Sequence, residues 1–258
     1  MSQAAVVSSQ PVTACVLLIG NEILSGRTQD VNLAYIARTL NERGIQVREA
    51  RTIPDLEDVI VETVNAVRKQ FDYVFTTGGI GPTHDDITAE CIARAFGVPL
   101  VMHPDIEARI RGYAKQRGLA PEVIQTSLRM ARVPQGADLI DTEIGAPGFR
   151  IDNVYVMAGI PAVMQSMISL LAPKLSGALP VRSRSIGAFL GESLVADPLR
   201  AIQDRHPQLD VGSYPFSESG RYGTTLVIRG TDEQQLDAVL GEIHAMLEGL
   251  GAELIQRD

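Results

Sequence analysis

Residues 76–88, TTGGIGPTHDDIT, carry the clearest capacity for chemistry in this chain. They follow an apolar run typical of a strand and end where a helical pattern begins, so their glycines lie in a strand-to-helix turn. Such a turn offers backbone N–H groups and the positive end of a helix dipole to a phosphate. The adjacent carboxylates of Asp85 and Asp86 add hard oxygen ligands. This combination predicts a Mg²⁺-dependent nucleotide or phosphoester site.

The turn itself supplies the candidate phosphate ligands. Its glycines permit positive φ and close backbone approach, its proline stiffens the chain, and its threonines offer hydroxyl groups. The candidate binding residues are Gly78, Gly79, Ile80, Gly81, Pro82, Thr83 and Thr88. A structural alternative stays open, in which Asp86 is an ordinary N-cap of the following helix. We expect His84, in the same turn, to be a solvent-exposed loop residue.

Residues 19–32, IGNEILSGRTQDVN, form a second candidate segment. Gly20 ends the first predicted strand and Glu22 follows in the turn, while Asp30 and Asn32 open the next helix. Glu22 or Asp30 could bind a metal ion or a ribose hydroxyl group. The alternative, equally open, makes Asp30 an N-cap and Glu22 a turn residue.

A third candidate group consists of Gly148, Gly159 and Pro161. These residues lie in tight turns and at a helix start, where they could close the ligand pocket from the far side. On the residues alone, a purely structural role in these turns is favoured over ligand binding.

Composition and charge narrow the class of partner. A net charge of −8 without a dense Lys/Arg cluster argues against nucleic-acid binding. Cys15 and Cys91 lie in apolar patterns, as buried thiols in a reducing cytoplasm do. The apolar run 14–19 is too short to span a membrane, and no Lys or Arg precedes it as in a signal peptide. We therefore expect a cytoplasmic protein with a small-molecule ligand and no contact with nucleic acid or membrane.

Strands alternate with helices over residues 13–173. Strands are predicted at 15–19, 45–53 and 73–75, and Asp55 is expected to cap the helix after the second. This order predicts an α/β domain with a doubly wound, mostly parallel sheet, whose ligands bind at the carboxyl ends of its strands.

The composition changes at residues 172–185, whose Pro, Gly and Ser content predicts a linker. Residues 184–258 then show the order βαββαβ of a smaller, ferredoxin-like α+β domain. Its first strand is predicted at 186–190 and a hairpin loop at 213–223.

Over residues 13–258 the chain resembles the molybdopterin-binding (MoaB/Mog-like) domain family, and most of all its CinA-type branch, that of competence/damage-inducible protein A. The matching motifs are Gly20-Asn-Glu22-Ile-Leu24-Ser-Gly26, Asp30-Val-Asn32, Thr-Gly-Gly-x-Gly-Pro-Thr-x-Asp-Asp-x-Thr without a gap at 77–88, and Ala-Pro-Gly-Phe at 146–149. Asn21 departs from the branch, in which an acidic residue is common at this position. We expect a stand-alone form without the C-terminal amidohydrolase domain of full CinA proteins.

The resemblance implies a metal-dependent nucleotide pyrophosphatase that acts on ADP-ribose or a similar pyrophosphate. Asp85 and Asp86 would be the catalytic residues and, with Glu22, would hold a divalent ion, Mg²⁺ or else Mn²⁺ or Co²⁺. Since the family also binds molybdopterin and in part adenylylates it, a module of molybdenum cofactor biosynthesis is the alternative, and a non-catalytic interaction protein is a third. Family members are often dimers or trimers, which predicts a homo-oligomer.

Overall fold

The computed structural model describes residues 11–256, which form two compact units with a boundary between Ala178 and Leu179. The boundary lies inside the segment predicted as a linker. The predicted end of the second domain, residues 257–258, lies outside the described residues.

The first unit alternates strands and helices as the sequence predicts. Its elements are β1 (Val12–Ile19), α1 (Asn21–Leu24), α2 (Asn32–Asn41), β2 (Ile45–Ile53), α3 (Glu57–Val67), β3 (Tyr73–Thr77), α4 (Thr88–Phe96), β4 (Leu100–Met102), α5 (Pro104–Arg117), α6 (Pro121–Ser127), a 3₁₀ helix (Leu128–Ala131), β5 (Arg132–Pro134), β6 (Asp138–Ile140), β7 (Gly148–Ile151), β8 (Val154–Met157), α7 (Pro161–Leu171) and a second 3₁₀ helix (Ala172–Lys174).

The main sheet of this unit has the strand order β2-β1-β3-β8-β7-β6. β2, β1, β3 and β8 are parallel, and β7 and β6 complete the sheet in antiparallel pairing. β4 and β5 form a separate two-stranded sheet. The prediction of a mostly parallel sheet is therefore confirmed, and the carboxyl ends of four parallel strands meet at one edge.

β1 is buried on both sides, because helices cover both faces of the sheet. One hydrophobic cluster joins Cys15, Leu17 and Ile19 to α3 and α4. The other joins Val16 and Leu18 to α2 and α7. Such a continuous apolar run with two buried faces is what a central parallel strand requires.

Both cysteines are free and buried, as predicted. Burial raises the pKa of the Cys15 and Cys91 thiols to about 12 in each case, so they stay protonated at neutral pH. They pack as small apolar side chains and take no part in acid–base chemistry.

The second unit contains β9 (Arg182–Phe189), α8 (Glu192–Arg205), β10 (Asp210–Glu218), β11 (Arg221–Gly230), α9 (Glu233–Gly249) and β12 (Glu253–Ile255). Its four strands form an antiparallel sheet in the order β10-β11-β9-β12, and both helices contribute to one core with this sheet. The predicted βαββαβ order is confirmed.

Two predicted boundaries in this unit are wrong. β9 begins at Arg182, within the predicted linker, because Arg182 and Ser185 pair with Gly230 and Val227 of β11. The predicted loop at 213–223 is mostly strand, since β10 and β11 pair up to Glu218 and Arg221 and reverse between them. Polar strand ends of this kind lack the alternation of apolar and polar residues by which a strand is recognised in a sequence.

Among residues 11–256, no helix combines the length and apolar character needed to cross a membrane.

Gly148, the first residue of β7, lies close to the main chain of β8. A Cβ atom there would lie 2.3 Å from the Val156 carbonyl oxygen and 3.3 Å from the Met167 sulfur. We therefore expect Gly148→Ala to lower the free energy of unfolding by about 1–3 kcal/mol, the usual cost of overpacking.

Gly112, in the middle of α5, is the matched control because a Cβ atom there meets no atom within 4 Å. Gly112→Ala should leave stability unchanged or raise it by about 1 kcal/mol, as glycine is a poor helix former. Urea unfolding of the three proteins measures both effects. Equal stability of the Gly148→Ala and Gly112→Ala proteins would contradict the close strand approach.

Candidate functional site

The turn between β3 and α4 leaves no room for side chains at its first two positions. Gly78 has φ +105°, and a Cβ atom on it would lie 2.1 Å from the Ile19 carbonyl oxygen. Gly79 has φ +67°, and its Cβ atom would lie 2.1 Å from Thr88 Oγ1. Only glycine satisfies both the left-handed backbone and the close packing at these positions.

Hydrogen bonds fix this turn to the sheet and to the first residue of α4. The Gly78 N–H donates to the Met157 carbonyl oxygen at 3.2 Å. Thr88 donates its N–H to the Gly79 carbonyl oxygen at 2.9 Å and its hydroxyl group to the Gly78 carbonyl oxygen at 3.1 Å. Thr88 is buried, so its hydroxyl group stabilises the turn and does not contact a ligand directly.

Three successive N–H groups remain available in the turn. Within residues 11–256, the N–H groups of Gly79, Ile80 and Gly81 donate to no acceptor. Pro82 has no N–H group, and the next one, on Thr83, donates to Asp86 Oδ2 at 2.8 Å. Unpaired main-chain donors in a turn between a strand and a helix are the donors that a phosphate group requires.

Asp85 and Asp86 converge on one hydroxyl group. Thr83 Oγ1 lies 2.6 Å from Asp85 Oδ1 and 2.5 Å from Asp86 Oδ2. A hydroxyl group carries one proton and donates to one of these carboxylates at a time. Three oxygens, two of them anionic, therefore face one another, as in the ligand sets of hard divalent cations.

The Thr83 hydroxyl group also sets the acidity of Asp85. Its hydrogen bond is the main cause that lowers the pKa of the Asp85 carboxyl group, with smaller contributions from the Asp85 main chain and from the charges of His84 and Arg129. Arg129 belongs to the first 3₁₀ helix, far along the chain, and no local sequence signal links it to the turn.

The structural alternative for Asp86 does not hold. The N-cap position of α4 is Ile87, which makes no side-chain capping bond, and Asp86 instead closes the turn onto Thr83. His84 has 95% of its side-chain surface exposed and is a loop residue, as predicted.

The turn after β1 is organised around main-chain contacts. The Gly20 N–H donates to the Ile53 carbonyl oxygen at 3.1 Å, and the Glu22 carboxylate lies over Gly20, 2.5 Å from where a Cβ atom would be. Asp55 accepts the Asn21 N–H at 2.8 Å and does not cap α3, whose N-cap position is Leu56. The predicted capping role of Asp55 is therefore wrong, because its carboxylate joins two turns.

Within residues 11–256, no three His, Cys, Asp or Glu side chains form a cluster that could hold a metal ion. The structure therefore does not bring Glu22 together with both Asp85 and Asp86. Asp30 accepts the N–H groups of Asn32 and Leu33 at 3.2 and 3.0 Å, so it holds the first turn of α2, although the N-cap position of this helix is Val31 and not Asp30.

Asn32 and Gly159 connect the turn before α7 to the turn between β3 and α4, which we call the glycine turn (residues 78–87). Asn32 is 5% exposed, and its side-chain N–H donates to the Gly159 carbonyl oxygen at 2.8 Å. A Cβ atom on Gly159 would lie 3.2 Å from Gly78 Cα. Pro161, the first residue of α7, is exposed just beyond this contact, whereas Gly148 serves the close approach of β7 and β8.

Comparison with known proteins gives a consistent family. The sequence profile described as "Probable molybdopterin binding domain" matches residues 15–177. A second profile, "FAD synthase, middle domain", matches residues 180–253.

Individual relatives agree with the first match. A protein of Archaeoglobus fulgidus is 34% identical over 202 residues, covering 78% of this chain and 84% of the relative. A CinA-like protein of Desulfosudis oleivorans is 34% identical over 209 residues, covering 76% of this chain and 50% of the relative. The solved structure of the protein CinA from Thermoplasma acidophilum is 32% identical, covers 63% of this chain and 96% of its own, and superposes with a TM-score of 0.56.

Thr83→Val removes the hydroxyl group that both aspartates contact and keeps the side-chain volume. We expect the pKa of Asp85 to rise toward its ordinary value in this variant, because its main hydrogen-bond donor is lost. A ¹³C carboxyl NMR titration of both proteins measures the change.

Ser25→Ala is the control, since it removes an exposed hydroxyl group that bonds within the other turn, to the Glu22 carbonyl oxygen. It should leave the Asp85 titration as in the unmodified protein. An Asp85 pKa that is the same in the Thr83→Val and unmodified proteins would show that Thr83 does not bind Asp85 in solution.

Proposed function

This chain belongs to the molybdopterin-binding (MoaB/Mog-like) domain family and to its CinA-type branch, and we propose that it is a metal-dependent nucleotide pyrophosphatase acting on ADP-ribose or a similar pyrophosphate. One observation carries this proposal above all others. The unpaired N–H groups of Gly79, Ile80 and Gly81 lie in the same turn as the paired carboxylates of Asp85 and Asp86.

The three N–H groups would bind the pyrophosphate group of the substrate. Main-chain donors of this kind are held rigidly, since Gly78 and Thr88 fix the turn at both ends. They are therefore oriented before the ligand arrives. Thr83 does not offer a free N–H group, because Asp86 already accepts it.

Asp85 and Asp86 would hold the divalent ion, for which Mg²⁺ is the first candidate and Mn²⁺ or Co²⁺ the others. Mg²⁺ is commonly bound by one or two carboxylates together with substrate phosphates and water. Two converging carboxylates fit this pattern, and a third protein ligand such as Glu22 is not required. When bound, such an ion polarises the phosphoryl group and makes water more acidic.

The reaction would consume one water molecule and convert ADP-ribose into AMP and ribose 5-phosphate. The oxygen of water bonds to one phosphorus atom as the bridging oxygen leaves with the other phosphate. The residues of the turn contribute by positioning the pyrophosphate and by stabilising its developing charge. No side chain has to form a covalent bond to the substrate.

The profile match over residues 15–177 also supports a second function, molybdopterin binding. The same N–H groups would then hold the terminal phosphate of the pterin, and the aspartates would hold its metal ion. Calorimetry separates the two functions. Tight binding of molybdopterin without release of AMP from ADP-ribose would favour the second.

Asp86→Asn tests the first function. The amide oxygen of asparagine can still accept the Thr83 N–H, so the fold should persist, but the negative charge is lost. We expect AMP release from ADP-ribose in the presence of Mg²⁺ to fall at least about 100-fold, the range seen when one group that stabilises transition-state charge is removed.

Asp152→Asn is the matched control, because Asp152 lies in the hairpin turn between β7 and β8 at φ +54°, a conformation that asparagine tolerates. This variant should keep the activity of the unmodified protein, and circular dichroism should show both variants folded. Unchanged AMP release by the Asp86→Asn protein would remove Asp86 from the mechanism.

A further inference from the structure

A cavity of about 370 Å³ lies in the first unit, between α5, the first 3₁₀ helix and the loop that precedes β7. Most of its walls are apolar. Side chains of Ile106, Ile110 and Met130 contribute to them, and Arg109 and Ser127 are among its few polar residues. We call this cavity the ring pocket.

The ring pocket belongs to the same edge of the sheet as the glycine turn. Gly145 lies in its wall, and a Cβ atom on Gly145 would lie 3.5 Å from Val163 Cγ1 in the first turn of α7. Just before α7, Gly159 packs against Gly78. A short series of contacts therefore joins the wall of the pocket to the start of the glycine turn.

The size and chemistry of the pocket select one type of group. Pockets for drug-sized ligands occupy roughly 300–1,000 Å³, so this volume fits a single ring system better than a whole dinucleotide. Tyr113 lies in its wall with 56% of its surface exposed. The Arg117 guanidinium carbon lies over one side of its ring, 5.5 Å from the centroid, so the opposite ring face is the one available for stacking.

Arg109 supplies directional donors in the same pocket. Its Nη1 atom donates to Asp141 at 2.8 Å, which fixes the guanidinium group at one end. Arginine has five N–H donors, and ring nitrogens and carbonyl oxygens of heterocycles are suitable acceptors for the others.

We propose that the ring pocket binds the planar heterocycle of the nucleotide whose phosphate the glycine turn holds, with Tyr113 stacking on the ring and Arg109 donating to its edge. This inference rests on the proposed nucleotide pyrophosphatase function. It makes Tyr113 and Arg109 specificity-determining residues, and it assigns adenine, as in ADP-ribose, to the pocket.

The two products of ADP-ribose hydrolysis provide matched probes. AMP carries a ring and a phosphate, whereas ribose 5-phosphate carries a phosphate without a ring. Their dissociation constants can be measured by calorimetry with Mg²⁺ for the unmodified protein and for Tyr113→Ala, Tyr113→Phe and Lys115→Ala. Lys115 is exposed on α5 and does not line the pocket, so it controls for changes to the helix surface.

We expect Tyr113→Ala to weaken AMP binding about tenfold, within the range found for loss of one base–aromatic stack. Tyr113→Phe, which keeps the ring, and Lys115→Ala should bind AMP like the unmodified protein. Ribose 5-phosphate should bind equally to all four proteins.

AMP binding that is equal in the Tyr113→Ala and unmodified proteins would overturn the ring pocket while leaving the pyrophosphatase proposal in place. The same holds if Tyr113→Ala weakens both ligands equally. An unmodified protein that neither binds AMP nor releases it from ADP-ribose would instead overturn the proposed function, and the ring pocket with it.

Discussion

The turn after β3 must pass so close to its neighbours that two successive residues cannot carry a side chain. Gly78 lies against the carbonyl oxygen at the end of β1, and Gly79 lies against the hydroxyl group of Thr88 at the start of α4. The turn is therefore determined by main-chain contacts, and the chain has little freedom to rearrange there. The carboxyl end of β1, the end of β3 and the start of α4 are brought to one place as a result.

This packing creates a site with both signs of charge. The N–H groups after Gly78 attract an anion, whereas the carboxylates of Asp85 and Asp86 repel it. The proposed phosphate group and divalent cation would together satisfy both halves, since the cation would neutralise the carboxylates and the phosphate would accept from the N–H groups. The proposed pairing would also account for the approach of two carboxylates to one Thr83 hydroxyl group.

Much of this arrangement was predictable, because it depends on local patterns. The bounds of β2 agree with the strand predicted at 45–53, and the glycines and aspartates of the main turn lie close together in sequence. Other features depend on contacts between distant segments. The partner of Asp55 is the Asn21 main chain, the charge of Arg129 reaches Asp85 from another element, and Arg182 joins β9 only because β11 extends beside it. No property of these residues alone distinguishes such contacts from ordinary loops and caps.

Asn32 shows how a motif residue can serve the site from outside it. Its side chain is buried and donates to Gly159, which in turn packs on Gly78, so the α2 start and the turn before α7 support the glycine turn from one side. Within residues 11–256 its side-chain oxygen has no hydrogen-bond partner, and an unpaired buried oxygen is costly. The cost is tolerable where the amide group fixes a turn that must stay rigid to present its N–H groups. Asn32 is thus better explained as a residue that positions the glycine turn than as a ligand of the substrate.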